Sequence, residues 1–361
     1  MTKKIGVLTG GGDCPGLNAA IRAIVKTAIG KYGYEVIGFR DGYRGLVLNR
    51  FEKIELEDVS NLLDKGGTIL GTSNTDDPFH FRIEKDGEIF YKDMTERVRD
   101  NLSMHDIEAI VTIGGDGTMK SANLLAQKGI NVVGVPKTID NDLYATENTF
   151  GFMTAVETAT EAIDKLHSTA ESHHRVMILE VMGRYAGWIA VQAGIAGGAD
   201  IILIPEIPYD INKVAQKILY RRNLGKSFSI VVVAEGAKSL NGDIVINKLI
   251  KDRVDPVRLG GIGNKISEQI EDLTGIDSRV TVLGYLQRGG RPGPYDRILS
   301  TRLGVAAVNL IEKGDFGRMV CLQGGRIGSV TIEEAVSQMK IVDPDGEYVN
   351  IAKDLGVCFG D

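Results

Sequence analysis

Ile107-Glu108-Ala109-Ile110-Val111-Thr112-Ile113 runs directly into Gly114-Gly115-Asp116-Gly117-Thr118, and a helical stretch from Met119 to Gln127 follows. The apolar run is short and nearly uninterrupted, the pattern of a strand buried on both faces. A glycine-rich loop with one carboxylate therefore stands at the carboxyl end of a buried strand. Glycines let the backbone approach a phosphate chain closely, and the helix N-terminus behind them aims free N–H groups at it. An acid in that place repels phosphate unaided. It makes sense if Asp116 holds a magnesium ion that bridges to the phosphates.

Working outward, the same unit recurs. Ile5–Thr9 leads into Gly10-Gly11-Gly12-Asp13 and then a helix from about Leu17. Val36–Phe39 is a second short strand, and Asn131–Val135 ends in Pro136-Lys137-Thr138-Ile139-Asp140-Asn141-Asp142. A helix from Phe152 to about His167 precedes Val176–Val181, a helix around Ala186–Ala196, Ile201–Ile204, a helix near Asn212–Arg222 and Ile230–Ala234. Val280–Leu283 closes the series. Apolar strands separated by helices predict an α/β protein with largely parallel sheets covered on both faces. Ligands of open α/β sheets bind outside the carboxyl ends of the strands, so the strand-end loops are where a site is expected. Two such sheets facing one another would bring their loops to a shared cleft. The polar, aromatic-containing stretch from Asn74 to Arg99 reads as an excursion beside it.

Composition narrows the function classes. A chain of 361 residues predicts two domains or one large one, and 25% charged residues are ordinary for a soluble globular protein. A net charge of −6 argues against a nucleic-acid or acidic-membrane surface. Cys14, Cys321 and Cys358 lack metal-ligand spacing and read as reduced thiols of a cytoplasmic protein. The apolar run after Met1-Thr2-Lys3-Lys4 is too short for a signal peptide, and no transmembrane span is expected. The 45 glycines are about 12% of the chain against a usual ~7%. They cluster just after strand-like runs, which suggests loops that hug a ligand.

Several of those loops carry chemistry. Thr138–Asp142 concentrates two acids at a strand end, which suits a general base with an orienting partner and equally suits a turn rich in Asp and Asn. Met182-Gly183-Arg184 ends one strand, and Arg184 reads either as a phosphate grip or as a surface ion pair. Arg175, just before that strand, is equally open. Glu235 follows Val231–Ala234, where a carboxylate could accept hydrogen bonds from sugar hydroxyls. Arg279 precedes the last strand and Gly284-Tyr285-Leu286-Gln287-Arg288-Gly289-Gly290 follows it. Several arginines at strand ends fit bidentate phosphate recognition.

Together these stretches closely resemble the 6-phosphofructokinase family. The resemblance rests on Gly10–Gly16, Gly114–Thr118, Pro136–Asp142, Met182–Arg184, Glu235 and Leu286–Gly290, in the family's order, and covers roughly residues 5 to 310. Lipid kinases and NAD kinases carry a loop like Gly114–Thr118 without the other stretches. The resemblance implies transfer of the γ-phosphoryl group of ATP to the 1-hydroxyl of fructose 6-phosphate, giving fructose 1,6-bisphosphate in glycolysis. It implies two three-layer α/β domains with largely parallel sheets facing a shared active-site cleft. Residues 1–150 plus about 287–335 would form the larger, donor-binding domain. Residues 151–286 plus about 336–361 would form the smaller, sugar-phosphate-binding domain.

By motif match, Gly12, Asn74, Gly115, Asp116, Gly117 and Thr118 would lie on the donor, with Asp116 on Mg2+. Asp140 would be the base that accepts the sugar hydroxyl's proton, Asp142 would arrange the metal or nucleophile, and Gly117 and Lys137 complete the catalytic set. Thr138, Ile139, Asp140, Met182, Gly183, Arg184, Glu235, Leu286 and Gln287 would hold the sugar, and Tyr285 and Arg288 its 6-phosphate. Arg175 and Arg279 match arginines that reach this phosphate from a neighbouring subunit, which implies at least a homodimer and commonly a tetramer.

The family divides by donor. Gly117 is the ATP-type residue, because an aspartate there collides with the nucleotide's α-phosphate; Lys137 resembles the pyrophosphate type. A mixed branch combines the two, and the reading favours ATP, with the pyrophosphate-dependent enzyme as the alternative. Asn74 stands where the common bacterial ATP enzyme has arginine, and Lys137 is expected to supply the missing charge. Tyr285 stands where those enzymes usually place histidine. His167 and Asp200 replace an arginine and a glutamate of the regulated enzymes' effector site, so weak or absent response to ADP and phosphoenolpyruvate is expected. Activity on sedoheptulose 7-phosphate is left open.

Overall fold

Continuous apolar runs become the inner strands, and the helices between them cover the sheets. The computed structural model describes residues 2–85, 87–242, 246–249 and 257–361. In chain order it contains β1 (Lys4–Thr9), α1 (Leu17–Tyr32), β2 (Glu35–Phe39), α2 (Tyr43–Leu48), β3 (Phe51–Ile54), β4 (Phe81–Lys85), β5 (Glu88–Lys92), α3 (Thr95–Met104), β6 (Ile107–Gly114), α4 (Asp116–Gln127) and β7 (Val132–Pro136). Next come α5 (Phe152–His173), β8 (Val176–Val181), α6 (Trp188–Ala196), β9 (Ile201–Leu203), α7 (Ile211–Asn223), β10 (Ser229–Ala234), β11 (Ile246–Leu249), β12 (Val257–Leu259), α8 (Ile262–Thr274) and β13 (Ser278–Val282). A 3-10 turn at Gly284–Gln287, α9 (Pro294–Lys313), β14 (Arg318–Gln323), β15 (Arg326–Thr331), α10 (Ile332–Ala335) and α11 (Glu347–Asp354) complete the order. The chain divides into one unit of residues 1–153 and 288–339 and another of 154–287 and 340–361.

In the first unit the described residues form a seven-stranded sheet, ordered β15-β14-β7-β6-β1-β2-β3. Its inner strands are parallel and its edge strands β15 and β3 are antiparallel to their neighbours. Ile5, Val7, Ile110, Val111, Ile113, Val132 and Val133 are fully buried, and each such side chain contributes about 1.5–3 kcal/mol through burial. From β1 the chain crosses to β2 on one side, and from β6 it crosses through α4 to β7 on the other. The pair β1 and β6, in register from Ile5↔Ala109 to Thr9↔Ile113, is therefore a topological switch point, the place at whose carboxyl end open α/β sheets bind ligands.

The second unit holds a four-stranded parallel sheet ordered β13-β8-β10-β9. Val176, Ile178, Ile201, Leu203, Val231 and Val233 pack with Ile262, Ile266 and Ile270 of α8 into one core. Among the described residues, no helix is long and apolar enough to cross a membrane.

The structure differs from the sequence reading at the margins. Strands β3, β14 and β15 extend the first sheet, so the series does not close at Leu283. The Asn74–Arg99 excursion contains a separate hairpin of β4 and β5, followed by the start of α3. Helix α5 continues past His167 to His173.

Candidate active site

The first unit's site grows from the switch point. The loop after β1 begins with a backbone bond from Gly10 N–H to the Ile113 carbonyl (2.8 Å), which ties it to the loop after β6. Gly11 N–H donates to the Ser73 carbonyl at 2.9 Å, bringing exposed Asn74 beside the same loop. The second loop caps α4 with Gly115, and Asp116 occupies the helix's first turn, where its charge complements the dipole. Lys120 holds Asp116 at 2.8 Å from one turn on. Thr118 fills the space that two glycines leave: a β-carbon on Gly10 would lie 2.6 Å from its Oγ1, and one on Gly114 would lie 2.3 Å from its Cβ. Nothing lies within 4 Å of a β-carbon placed on Gly117, so that position faces open space.

The loop after β7 lies alongside. Lys137 N–H donates to the Gly114 carbonyl (2.9 Å), and its buried Nζ reaches the Gly12 carbonyl at 2.5 Å. Burial lowers the pKa of this ammonium, and Arg288 adds to that; Cys14, Asp142 and Asp13 act against it. Arg288 itself donates to the Asp13 carbonyl at 3.2 Å, and a β-carbon on Gly12 would lie 2.6 Å from its guanidinium. The Thr138–Asp142 loop is braced from below. Thr149 Oγ1 donates to the Thr138 carbonyl (2.7 Å), Thr149 N–H to Asn141 Oδ1 (3.0 Å), and Asp140 N–H to Thr138 Oγ1 (3.1 Å). Asn141 takes the left-handed conformation (φ 52°), which asparagine tolerates better than most residues. This bend presents Asp140 and Asp142 together. The Asp142 carboxyl is pushed well above the usual carboxylate range, first by burial, then by the charge of Asp140, with a smaller contribution from Asp116. Ile139, just before Asp140, is fully buried, so its side chain belongs to the core.

These carboxylates suit a hard divalent cation. Asp142 Oδ1 is buried with no hydrogen-bond partner, and the charges of Asp140 and Asp116 act on it. Among the described residues no group of three or more acidic, histidine or cysteine side chains forms a metal cage. An ion there would be shared between one or two carboxylates and a phosphate chain, as octahedral magnesium usually is.

The second unit gathers its own set at the carboxyl end of its sheet. Glu235 N–H donates to the Val181 carbonyl (2.9 Å) and Gly236 N–H to the Gly183 carbonyl (3.1 Å), so the loops after β8 and β10 are joined. Gly183 has φ 140°, and a β-carbon there would lie 2.9 Å from the Ala186 carbonyl oxygen, which requires glycine. The Arg184 guanidinium stacks over the Tyr185 ring at 5.0 Å. Gln287 is fully buried and acts as a clamp: its Oε1 accepts from Met182 N–H (3.3 Å) and its Nε2 donates to the Gly284 carbonyl (3.2 Å). Tyr285 and Leu286, on the same turn, are exposed.

The arginines do not all converge. Arg175 and Arg279 lie at the amino end of this sheet, opposite Arg184 and Glu235, because one precedes β8 and the other is the second residue of β13. Asp277 lies between them, 2.6 Å from Arg175 Nε and paired with Arg279. A cavity of about 420 Å³ opens beside Arg175, lined also by His174, Arg222, Lys226 and Asp277. His167 and Asp200 have internal partners. His167 Nε2 pairs with the Gly197 carbonyl (2.7 Å); Asp200 accepts from Ile230 N–H (2.9 Å) and pairs with Arg221 (2.6 Å).

Residues 4–311 match the family described as Phosphofructokinase. The chain belongs to the phosphofructokinase family. It is 56% identical over 361 residues to an ATP-dependent 6-phosphofructokinase 2 of Clostridium perfringens, covering 99% of both chains. It is 48% identical over 358 residues to a pyrophosphate–fructose 6-phosphate 1-phosphotransferase of Streptomyces coelicolor, covering 99% of this chain and all of that one. Among solved structures, a phosphofructokinase of Saccharomyces cerevisiae superposes with a TM-score of 0.79 at 31% identity, over 93% of this chain and 45% of that one. This chain thus spans less than half of the yeast chain, and its fold is that of a phosphofructokinase.

Sequence reasoning did not single out Tyr43, whose buried hydroxyl donates to the Thr118 carbonyl at 2.8 Å. Nor did it find Thr149 as the brace of the Thr138–Asp142 loop. Both bind backbone carbonyls of distant or irregular segments and leave no local motif.

Proposed function

We propose that this phosphofructokinase transfers the γ-phosphoryl group of ATP to the 1-hydroxyl of fructose 6-phosphate. The observation that carries the reading is the grouping of Asp140, Asp142, Asp116 and Lys137 with the glycine loops at the β1/β6 switch point. Phosphoryl transfer asks mainly for positioning and charge neutralisation, and that grouping offers both. In this account the first unit binds the donor and the second grips the sugar phosphate. Gly12 and Gly115–Thr118 present backbone N–H groups to the donor phosphates. Asp116 would hold magnesium, with Asp142 helping to arrange it, and the ion would neutralise the phosphate charge. Asp140 takes the proton of the 1-hydroxyl as its oxygen attacks.

Thr138, Met182, Gly183, Arg184 and Glu235 hold the sugar, with Gln287 acting through Met182 rather than on the sugar. Tyr285 and Arg288 serve the 6-phosphate. Arg175 and Arg279 serve the 6-phosphate bound to a second copy of the chain. Their position at the amino end of the sheet, away from their own unit's carboxyl-end loops, supports that division and hence a homo-oligomer. Lys137 supplies the charge that Asn74 does not.

The pyrophosphate reading draws on Lys137 and Asn74. ATP is favoured because the open space around Gly117 leaves room for the remainder of a nucleotide. The test is product analysis by phosphorus NMR after incubation with fructose 6-phosphate, ATP and Mg2+. A second phosphomonoester on C1 is expected, and an unchanged sugar phosphate would overturn the reading.

A further inference from the structure

Thr118 is held at both ends. Its side chain sits in the slot between Gly10 and Gly114, and its carbonyl accepts the Tyr43 hydroxyl. Tyr43 opens α2 at the carboxyl end of β2, immediately after Gly42. A β-carbon on Gly42 would lie 2.8 Å from the Thr9 carbonyl oxygen, so α2 starts tight against the end of β1. The ring is 4% exposed and burial pushes its pKa up, so the hydroxyl keeps its proton and remains a donor. The phenol therefore ties the segment after β2 to the first turn of α4, close to the end of β1.

We propose that Tyr43 is a positioning residue of the donor site, whose hydroxyl fixes the first turn of α4 so that the N–H groups of Gly115–Thr118 point at the donor phosphates. The inference rests on the donor-site reading above. The tyrosine need touch no substrate to hold the Thr118 carbonyl. One neutral hydrogen bond sets the scale of its effect.

The test is Tyr43→Phe, which keeps the packed ring and removes only the hydroxyl. In the active enzyme, kcat/KM for ATP should fall about 3- to 10-fold. KM for fructose 6-phosphate should stay within about twofold. Without any substrate, amide hydrogen exchange at Met119–Ala122, whose N–H groups bond back to the first turn, should accelerate in the variant while the amides of β10 keep their rates. Unchanged exchange together with unchanged ATP kinetics overturns the proposal, as does an equal loss toward both substrates. A wild-type protein that transfers no phosphoryl group overturns the functional reading instead, and the exchange comparison still decides what Tyr43 does.

Discussion

Replacing Asp142 by asparagine should stabilise the metal-free protein. The carboxyl is buried, one of its oxygens has no hydrogen-bond partner, and its pKa rises from 3.8 to about 6 through burial and the charge of Asp140. At 1.36 kcal/mol per pH unit this difference corresponds to about 3 kcal/mol of folding free energy. Asp140 shares the strain, so the expected gain is about 1–3 kcal/mol. The sign follows from linkage. The folded-state pKa is raised above the unfolded one, so the folded protein holds the proton more tightly. The penalty of the charged form is full above pH 6, shrinks as pH falls from about 6 to about 4, and is gone below. Urea unfolding of wild type and Asp142→Asn in EDTA, at pH 8 and at pH 4.5, reads this directly. The variant should be more stable at pH 8, and the advantage should largely vanish at pH 4.5. A variant that is less stable at pH 8, or one with the same offset at both values, would refute the claim that Asp142 is a carboxylate held in unfavourable surroundings for its chemistry.

Other consequences concern turnover. Asp140→Ala should lower kcat by roughly 10²–10⁴ and leave KM for fructose 6-phosphate much less affected; a loss confined to sugar affinity would remove Asp140 from the role of base. Gly117→Asp should fold normally, since its new side chain meets open space, and should lose use of ATP more than use of pyrophosphate in parallel initial-rate assays. Equal loss of both donors would show that Gly117 does not discriminate. Gln287→Leu should raise KM for fructose 6-phosphate about 3- to 10-fold by releasing Met182 N–H, with KM for ATP unchanged; the reverse pattern would contradict the clamp. Co-refolding inactive Asp140→Ala chains with Arg175→Ala chains should restore part of the activity if each site draws an arginine from its neighbour, whereas two inactive parents yielding an inactive mixture would confine each site to one chain.

How much of this was legible in the sequence depends on how local the signal is. Ile107–Ile113, Val176–Val181 and Ile230–Ala234 are mostly apolar because nearly all of their residues are buried, with Glu108, Thr112 and Glu180 as the polar exceptions, and each forms an inner parallel strand. Edge strand β3 carries one buried residue in four, so its pattern differs little from a loop. β14 and β15 form a hairpin around Gly324-Gly325, but β15 is polar and mostly exposed, which hid the pair. The second half of α5 is polar after His167, so its apolar stripe fades before the helix ends. At the site, the glycine loops and the Asp140/Asp142 bend were readable because strand, loop and helix are contiguous. The bond from Tyr43 to Thr118 spans 75 positions and that from Met182 to Gln287 spans 105. Such braces are set by sheet order, which the sequence pattern alone did not specify.

The most direct test of the account is an initial-rate comparison of ATP and pyrophosphate at matched concentrations, with fructose 6-phosphate and Mg2+. The account predicts turnover with ATP and little or none with pyrophosphate, which would make the open space at Gly117 decisive and Lys137 an adapted part of a nucleotide site. Turnover with pyrophosphate alone would contradict it and identify Lys137 and Asn74 as the residues that set the donor.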